Sequence, residues 1–149
     1  MPKLDLAAIP ETNATGYPPP YAEPMAKRWV RRLAPAAGLT DFGASHVRLL
    51  PGGRSSQRHW HEGEDELLVM IAGEAVLVEE QGRTPMGPGD CAVFRRGEAN
   101  GHHLLNESDS ACVFVVVGRP VATPCHYPDI DLHLAGDGSG FRRKDGTAY

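Results

Sequence analysis

Glycine and proline recur so often along this chain that no long helix fits between them. The 17 glycines and 13 prolines make about a fifth of the 149 residues, where average usage is near 12%. Both residues break helix interiors, which argues against a helix bundle and for many short strands joined by turns. The length fits one domain with a real core.

From Asp41 onward the apolar pattern has a period of two. Val47 and Leu49 alternate with His46 and Arg48. Further strand candidates are Gln57–His61, Glu66–Ile71, Glu74–Glu80, Cys91–Phe94, His102–Asn106 and Ala111–Val117. Turn chemistry separates them: Pro51-Gly52-Gly53, Gln81-Gly82-Arg83 and Pro85 to Asp90. Seven short strands at regular spacing read as a sandwich or barrel. Residues 1–40 are expected to form an extended Pro- and Ala-rich arm. Within it, Pro24 to Ala34 fits a short helix, with Arg28, Arg31 and Arg32 mostly opposite an apolar face, and fits a strand equally well. Residues 41–120 form the barrel, and 121–149 a tail packing on it.

Composition excludes several roles. Fifteen Lys and Arg against 19 Asp and Glu give a net charge of −4, without the basic footprint of a nucleic-acid binder. No apolar run reaches the roughly 18 residues of a membrane span. Met1 to Pro10 lacks the apolar centre of a secretory signal. Three cysteines without paired spacing read as reduced thiols in a cytoplasmic protein.

The stretch Gly53 to Glu66 carries the chemistry. His59 and His61 lie two apart, so on a strand both imidazoles project from one face. Glu66 follows past the Gly63 turn, where a hairpin returns its carboxylate to the two rings. His102 and His103 are adjacent on a later strand, so one of them can complete the set. Three imidazoles and a carboxylate suit a divalent transition metal, Mn, Fe, Zn, Ni or Co, rather than Ca or Mg. Glu62, Glu64 and Asp65 are expected as exposed turn acids. Gln57 shares parity with His59 and His61 and is expected to face the cavity, with Leu68 and Met70 as apolar wall. Arg48 and Arg54 are candidates for a substrate anion. Cys91 and Cys112 read as core packing. Cys125 precedes His126, an adjacency that lowers a thiol pKa, and is a candidate nucleophile beside its reading as a packed thiol.

Gly53, His59, His61, Glu66 and Gly73 stand at the spacings of the first motif of the cupin family, and the chain resembles that family over about residues 43–118. The second motif matches at Gly89, Gly97, His102 and Asn106, with Arg95 where the family has proline and two extra residues before the histidines. The four-residue step from His102 to Asn106 assigns His102 to the metal. A bulge at the insertion would instead make His103 the ligand, or bring it in as a general base. The chain is further similar to small bacterial single-cupin proteins through Gly101-His102-His103-Leu104-Leu105-Asn106 and Tyr127-Pro128-Asp129-Ile130-Asp131-Leu132. Many of these are grouped as sugar-phosphate isomerase-like.

The resemblance implies an all-β double-stranded β-helix, a jelly-roll barrel with a metal in its mouth held by His59, His61, Glu66 and His102. It also implies a homodimer acting on a small molecule, by isomerase- or lyase-type chemistry. One branch of similar proteins uses a thiol to remove a methylthio group from a ketose phosphate, the role in which Cys125 is a candidate. The alternatives are a non-catalytic module that binds a small ligand or metal, and an iron-dependent dioxygenase.

Overall fold

Alternating inward and outward side chains build the sheets. The computed structural model describes residues 3–149; residues 1 and 2 of the expected arm lie outside the described part. Twelve strands occur in it: β1 (Arg28–Arg32), β2 (Gly43–Leu49), β3 (Trp60–His61), β4 (Glu66–Ala72), β5 (Ala75–Glu79), β6 (Gly82–Met86), β7 (Cys91–Phe94), β8 (His103–Leu105), β9 (Cys112–Gly118), β10 (Cys125–His126), β11 (His133–Leu134) and β12 (Phe141–Arg142). Helix is confined to single turns at Leu6–Ala8, Glu23–Met25 and Leu33–Ala36.

One sheet runs β1-β2-β9-β4-β7, a second β6-β5-β8, and a third β12-β11-β10-β3, with every pairing antiparallel. The first two share one core, in which Leu49, Met70, Leu104, Cys112 and Phe114 are fully buried. Each such large apolar side chain contributes roughly 1.5–3 kcal/mol by leaving water. This is the all-β jelly-roll barrel.

The segment around residue 30 is a strand and not a helix. β1 pairs with β2 over Arg28↔Leu49 to Arg32↔Ser45, so the boundary expected at residue 41 divides two hydrogen-bonded neighbours. The tail is also more regular than its sequence suggests. β10 pairs with β3, placing Cys125 opposite His61, and residues 121–149 thereby supply three strands of a four-stranded sheet. Arm and tail meet in a second apolar cluster, where Tyr17, Tyr21 and Phe141 pack on Cys125, Tyr127 and Leu132.

Gly73 explains one motif glycine. Its φ is +71°, and a Cβ there would lie 2.6 Å from the Ala111 carbonyl oxygen, so a side chain meets both strain and a backbone clash. Asn106, fully buried, explains the motif asparagine. Its Nδ2 donates to the carbonyls of Leu49 (2.9 Å) and Ser110 (2.8 Å), and its Oδ1 accepts from Ser108, which ties the β8–β9 turn to the end of β2.

Cys91 corrects an expectation. It is exposed, because β7 turns Ala92 and Phe94 inward and Cys91 and Val93 outward. Cys112 is in the core as expected.

Candidate metal centre

His59 and His102 face each other across a narrow antiparallel bridge, with His59 N–H donating to the His102 carbonyl at 3.2 Å and the reverse bond at 2.9 Å. Glu66 opens β4 beside them, and His61 ends β3. The side-chain donors converge. His59 Nε2 lies 3.1 Å from His61 Nε2, His102 Nε2 lies 3.3 Å from Glu66 Oε2, and His61 Nε2 lies 3.5 Å from the same oxygen. His59, Glu66 and His102 place one donor each within a 4.8 Å sphere of mutual distance.

The protonation pattern follows from the partners. A carbonyl oxygen only accepts, so His59 Nδ1–H donates to Gln57 O (2.9 Å) and His102 Nδ1–H donates to Asn100 O (3.2 Å). In the neutral His59 ring this leaves the Nε2 lone pair pointing into the cluster, while His102 Nε2 lies against Glu66 Oε2. Burial drives His59 down to about 4 and also lowers His61, so both are neutral at pH 7. Burial raises Glu66, but the His102 hydrogen bond and the neighbouring imidazoles outweigh it and hold the carboxyl below its usual range.

The donor set fits a metal. Ligand atoms about 2.1 Å from one ion are about 3.0 Å apart at a right angle and about 3.4 Å apart at a tetrahedral angle. The three observed separations, 3.1, 3.3 and 3.5 Å, fall in or next to that range. Neutral imidazoles with a single carboxylate suit Mn, Fe, Ni, Co or Zn.

His59, Glu66 and His102 form one wall of a cavity of about 280 Å³ inside the barrel, which His61 does not line. Leu68 lines it, as parity with Glu66 required, and Met70 lies deeper in the core. Val30, Val47, Phe114 and Val116 complete the apolar walls, with Ser45, Ser55 and Ser56 as hydroxyl donors. Arg28 and Arg32 also line it, and sequence reasoning missed both. Their signal was present only in the strand reading of Pro24 to Ala34, where residues 28, 30 and 32 share a face.

Several candidates stand elsewhere. Gln57 is buried, but its amide donates to the Tyr21 carbonyl at 3.0 Å, tying down the arm. It does not line the cavity, because residues 55–58 form a loop and strand parity fails there. Arg48 points outward from β2 and binds Glu11 through Nε (3.1 Å) and Nη2 (2.7 Å). Arg54 bridges to Leu105 and does not line the cavity. His103 lies across the sheet from the cluster, donating Nδ1–H to Ser56 O at 3.1 Å. Its ring does not line the cavity either, so the expected general-base position is not formed.

Cys125 lies against the site without being activated. Its sulfur and the ring nitrogens of His59 and His61 lie within 4.8 Å of one another. Burial pushes the thiol up to about 12. The neighbouring His126 does not lower it, because that ring turns away to stack on Trp60 (4.3 Å) and bind Glu62 (2.7 Å). Glu64 also departs from expectation. It is half-buried, its Oε2 is 3.8 Å from His61 Nδ1, and burial with the Glu66 charge beside it raises it to about 7. Within a run of turn acids, nothing in the sequence distinguished it. Glu62 and Asp65 are exposed as expected.

Comparison with known proteins agrees with this geometry. A family model for the cupin domain matches residues 45–118. A crystal structure of a cupin-superfamily sugar phosphate isomerase from Silicibacter pomeroyi is 43% identical, covers 99% of this chain and 96% of its own, and superposes with a TM-score of 0.94. The polyketide cyclase RemF from Streptomyces resistomycificus shares the fold at 21% identity, covering 80% of this chain and 79% of its own, with a TM-score of 0.64. A Cupin 2 conserved barrel domain protein from Salinispora arenicola does so at 23% identity, covering 82% and 89%, with a TM-score of 0.58. The curated proteins contain no match. Among the described residues no helix is long and apolar enough to cross a membrane. The motif spacing, the jelly-roll barrel and the near-complete superposition on a cupin relative together establish that the chain belongs to the cupin superfamily.

Proposed function

We propose that this chain is a metal-dependent enzyme that acts on a small oxygenated metabolite of sugar-phosphate type, by isomerase- or lyase-type chemistry. The observation that carries the reading is the run of donor contacts from His59 to His61 (3.1 Å), His61 to Glu66 (3.5 Å) and Glu66 to His102 (3.3 Å), with His59, Glu66 and His102 at the wall of a cavity lined by both apolar and polar side chains. A divalent transition metal held by these four residues would supply Lewis-acid polarisation of a substrate oxygen. The chain's own residues do the rest. Gln57 O and Asn100 O orient the His59 and His102 rings, and the apolar part of the wall strengthens charge interactions beside it. Ser45, Ser55 and Ser56 offer hydroxyls to a hydroxylated ligand.

The isomerase reading draws on the relative from Silicibacter pomeroyi, which is described as a sugar phosphate isomerase. Thiol-linked removal of a methylthio group is less well supported, because the Cys125 thiol is buried and held neutral. For assembly we propose a homodimer, supported by the exposed apolar Leu67, Ile71 and Val93 on the outer face of β4 and β7.

The test is proton exchange. Protein purified without chelator is incubated with aldose and ketose phosphates in D₂O and followed by NMR. Deuterium entering the carbon beside the carbonyl, and absent from His59→Ala/His61→Ala protein, is the expected result. No exchange with any sugar phosphate by protein carrying stoichiometric metal would contradict the isomerase reading.

A further inference from the structure

The cavity is lined by a guanidinium whose Nε–Nη2 edge has no acceptor among the described residues. Arg28 projects from β1 into the barrel, on the same face as Val30 and Arg32. Its Nη1 donates to the Ser55 carbonyl at 2.9 Å, which anchors the head beside the loop that leads to His59. Nε is buried and finds no acceptor among the described residues, and Nη2 makes no hydrogen bond to them. The Nε–Nη2 edge is the one that matches two oxygens of a carboxylate or phosphate.

No carboxylate among the described residues pairs with Arg28, in contrast to Arg31, Arg48 and Arg58, each of which has an acidic partner. Among the described residues Glu66 is the single acidic side chain lining the cavity, and it belongs to the donor cluster. Arg28 and Arg32 therefore leave the wall with an excess of positive charge, and a bound cation would add to it. An arginine stays charged in any protein environment. Burying it with an unsatisfied donor is costly unless a ligand supplies the acceptor. Burial does lower Arg28, which shows how far the group is removed from solvent.

We propose that Arg28 forms an oxyanion subsite in the barrel cavity, gripping the phosphate or carboxylate end of a hydroxylated metabolite whose other end meets His59, Glu66 and His102. The proposal rests on the metal-dependent reading above and narrows its substrate class to anionic molecules. Arg32, at the cavity rim and exposed, adds long-range attraction rather than a fixed grip.

Calorimetric titration of the full chain as purified, with inorganic phosphate and separately with malonate, tests this in a buffer free of other oxyanions. Metal content and melting temperature are measured for every protein used. Arg28→Gln is expected to weaken binding of the preferred anion about tenfold or more, as loss of a charged bidentate contact does. Arg28→Lys keeps the charge, loses the edge, and is expected to weaken it severalfold. Both variants should retain the wild-type metal content. Tighter phosphate binding assigns a phosphate ester, and tighter malonate binding a carboxylic acid.

Unchanged affinity in Arg28→Gln overturns the subsite, as does failure of the wild type to bind either anion. If Arg28→Gln loses fold or metal, Arg28→Lys decides, and wild-type affinity there overturns the proposal. Wild-type protein that takes up no metal on incubation with Mn, Fe, Zn and Ni, yet binds anions through Arg28, would remove the metalloenzyme reading and leave the subsite standing.

Discussion

Phe94 lies flat against His102, with ring centroids 3.5 Å apart and planes 1° from parallel. Phe94 ends β7 and His102 immediately precedes β8 of a different sheet, so this stack joins the two sheets at the candidate metal centre. It also fixes the rotation of the His102 ring, whose Nδ1 is held by Asn100 O and whose Nε2 faces Glu66. Supporting contacts of this kind orient metal ligands and are worth about 10–100-fold in affinity. Phe94→Leu is therefore expected to weaken metal binding about tenfold with all four donors intact. Chelator competition reads the change, and an unaltered affinity would show that the ring needs no such support.

His102 and His103 separate by side of the sheet. His102→Ala should reduce metal affinity by more than about 100-fold, since it removes a donor outright. His103→Ala should leave metal content unchanged and cost only its bond to Ser56 O, roughly 1 kcal/mol of stability. Elemental analysis of the two variants distinguishes them, and full metal in His102→Ala would contradict the assignment.

Asn106 holds two backbone segments with one buried side chain. Asn106→Ala leaves the Leu49 and Ser110 carbonyls without their donor. The expected loss is about 2–3 kcal/mol, read from the midpoint of urea unfolding. A shift below the measurement error would mean that water replaces the amide.

Glu11 clamps the arm to the barrel and sets a pH dependence. It accepts from Arg48 at 3.1 and 2.7 Å and from Arg31 at 3.1 Å. The Arg48 hydrogen bond holds its carboxyl below the usual range, with burial opposing and the charges of Arg48 and Arg31 adding to it. A depressed carboxyl contributes stability above its unfolded pKa of about 4.3, and that contribution is lost as pH falls through the folded value. Glu11→Gln should thus lower stability at pH 7 by roughly 0.5–1 kcal/mol. The difference from wild type should vanish in strong acid. Urea midpoints taken at pH 7 and below pH 3 check both arms, and a gap that widens in acid has the wrong sign.

Much of the site was legible in the sequence because period-two alternation is a strong local rule. It placed Leu68 and Met70 inside with Glu66, and put Arg48 on the face opposite Val47 and Leu49. The rule fails where its premise does. Residues 55–58 form a loop, so Gln57 went to Tyr21 instead of the cavity. In Cys91–Phe94 both faces are apolar, so the pattern could not tell which side Cys91 takes. The tail strands β10 to β12 are two residues each, too short to show a period, and their partners are distant in sequence. Arg28 stayed hidden because Pro24 to Ala34 satisfies a helical pattern with its arginines outward, and only pairing with β2 makes it a strand.

The central claim is that His59, His61, Glu66 and His102 hold one divalent transition metal. Elemental analysis of untagged protein, purified without chelator, tests it most directly when run beside His59→Ala/His61→Ala protein. The account predicts close to one equivalent of a transition metal per wild-type chain and nearly none in the double variant. Equal metal in both proteins, or none in the wild type after incubation with Mn, Fe, Zn and Ni, would contradict it.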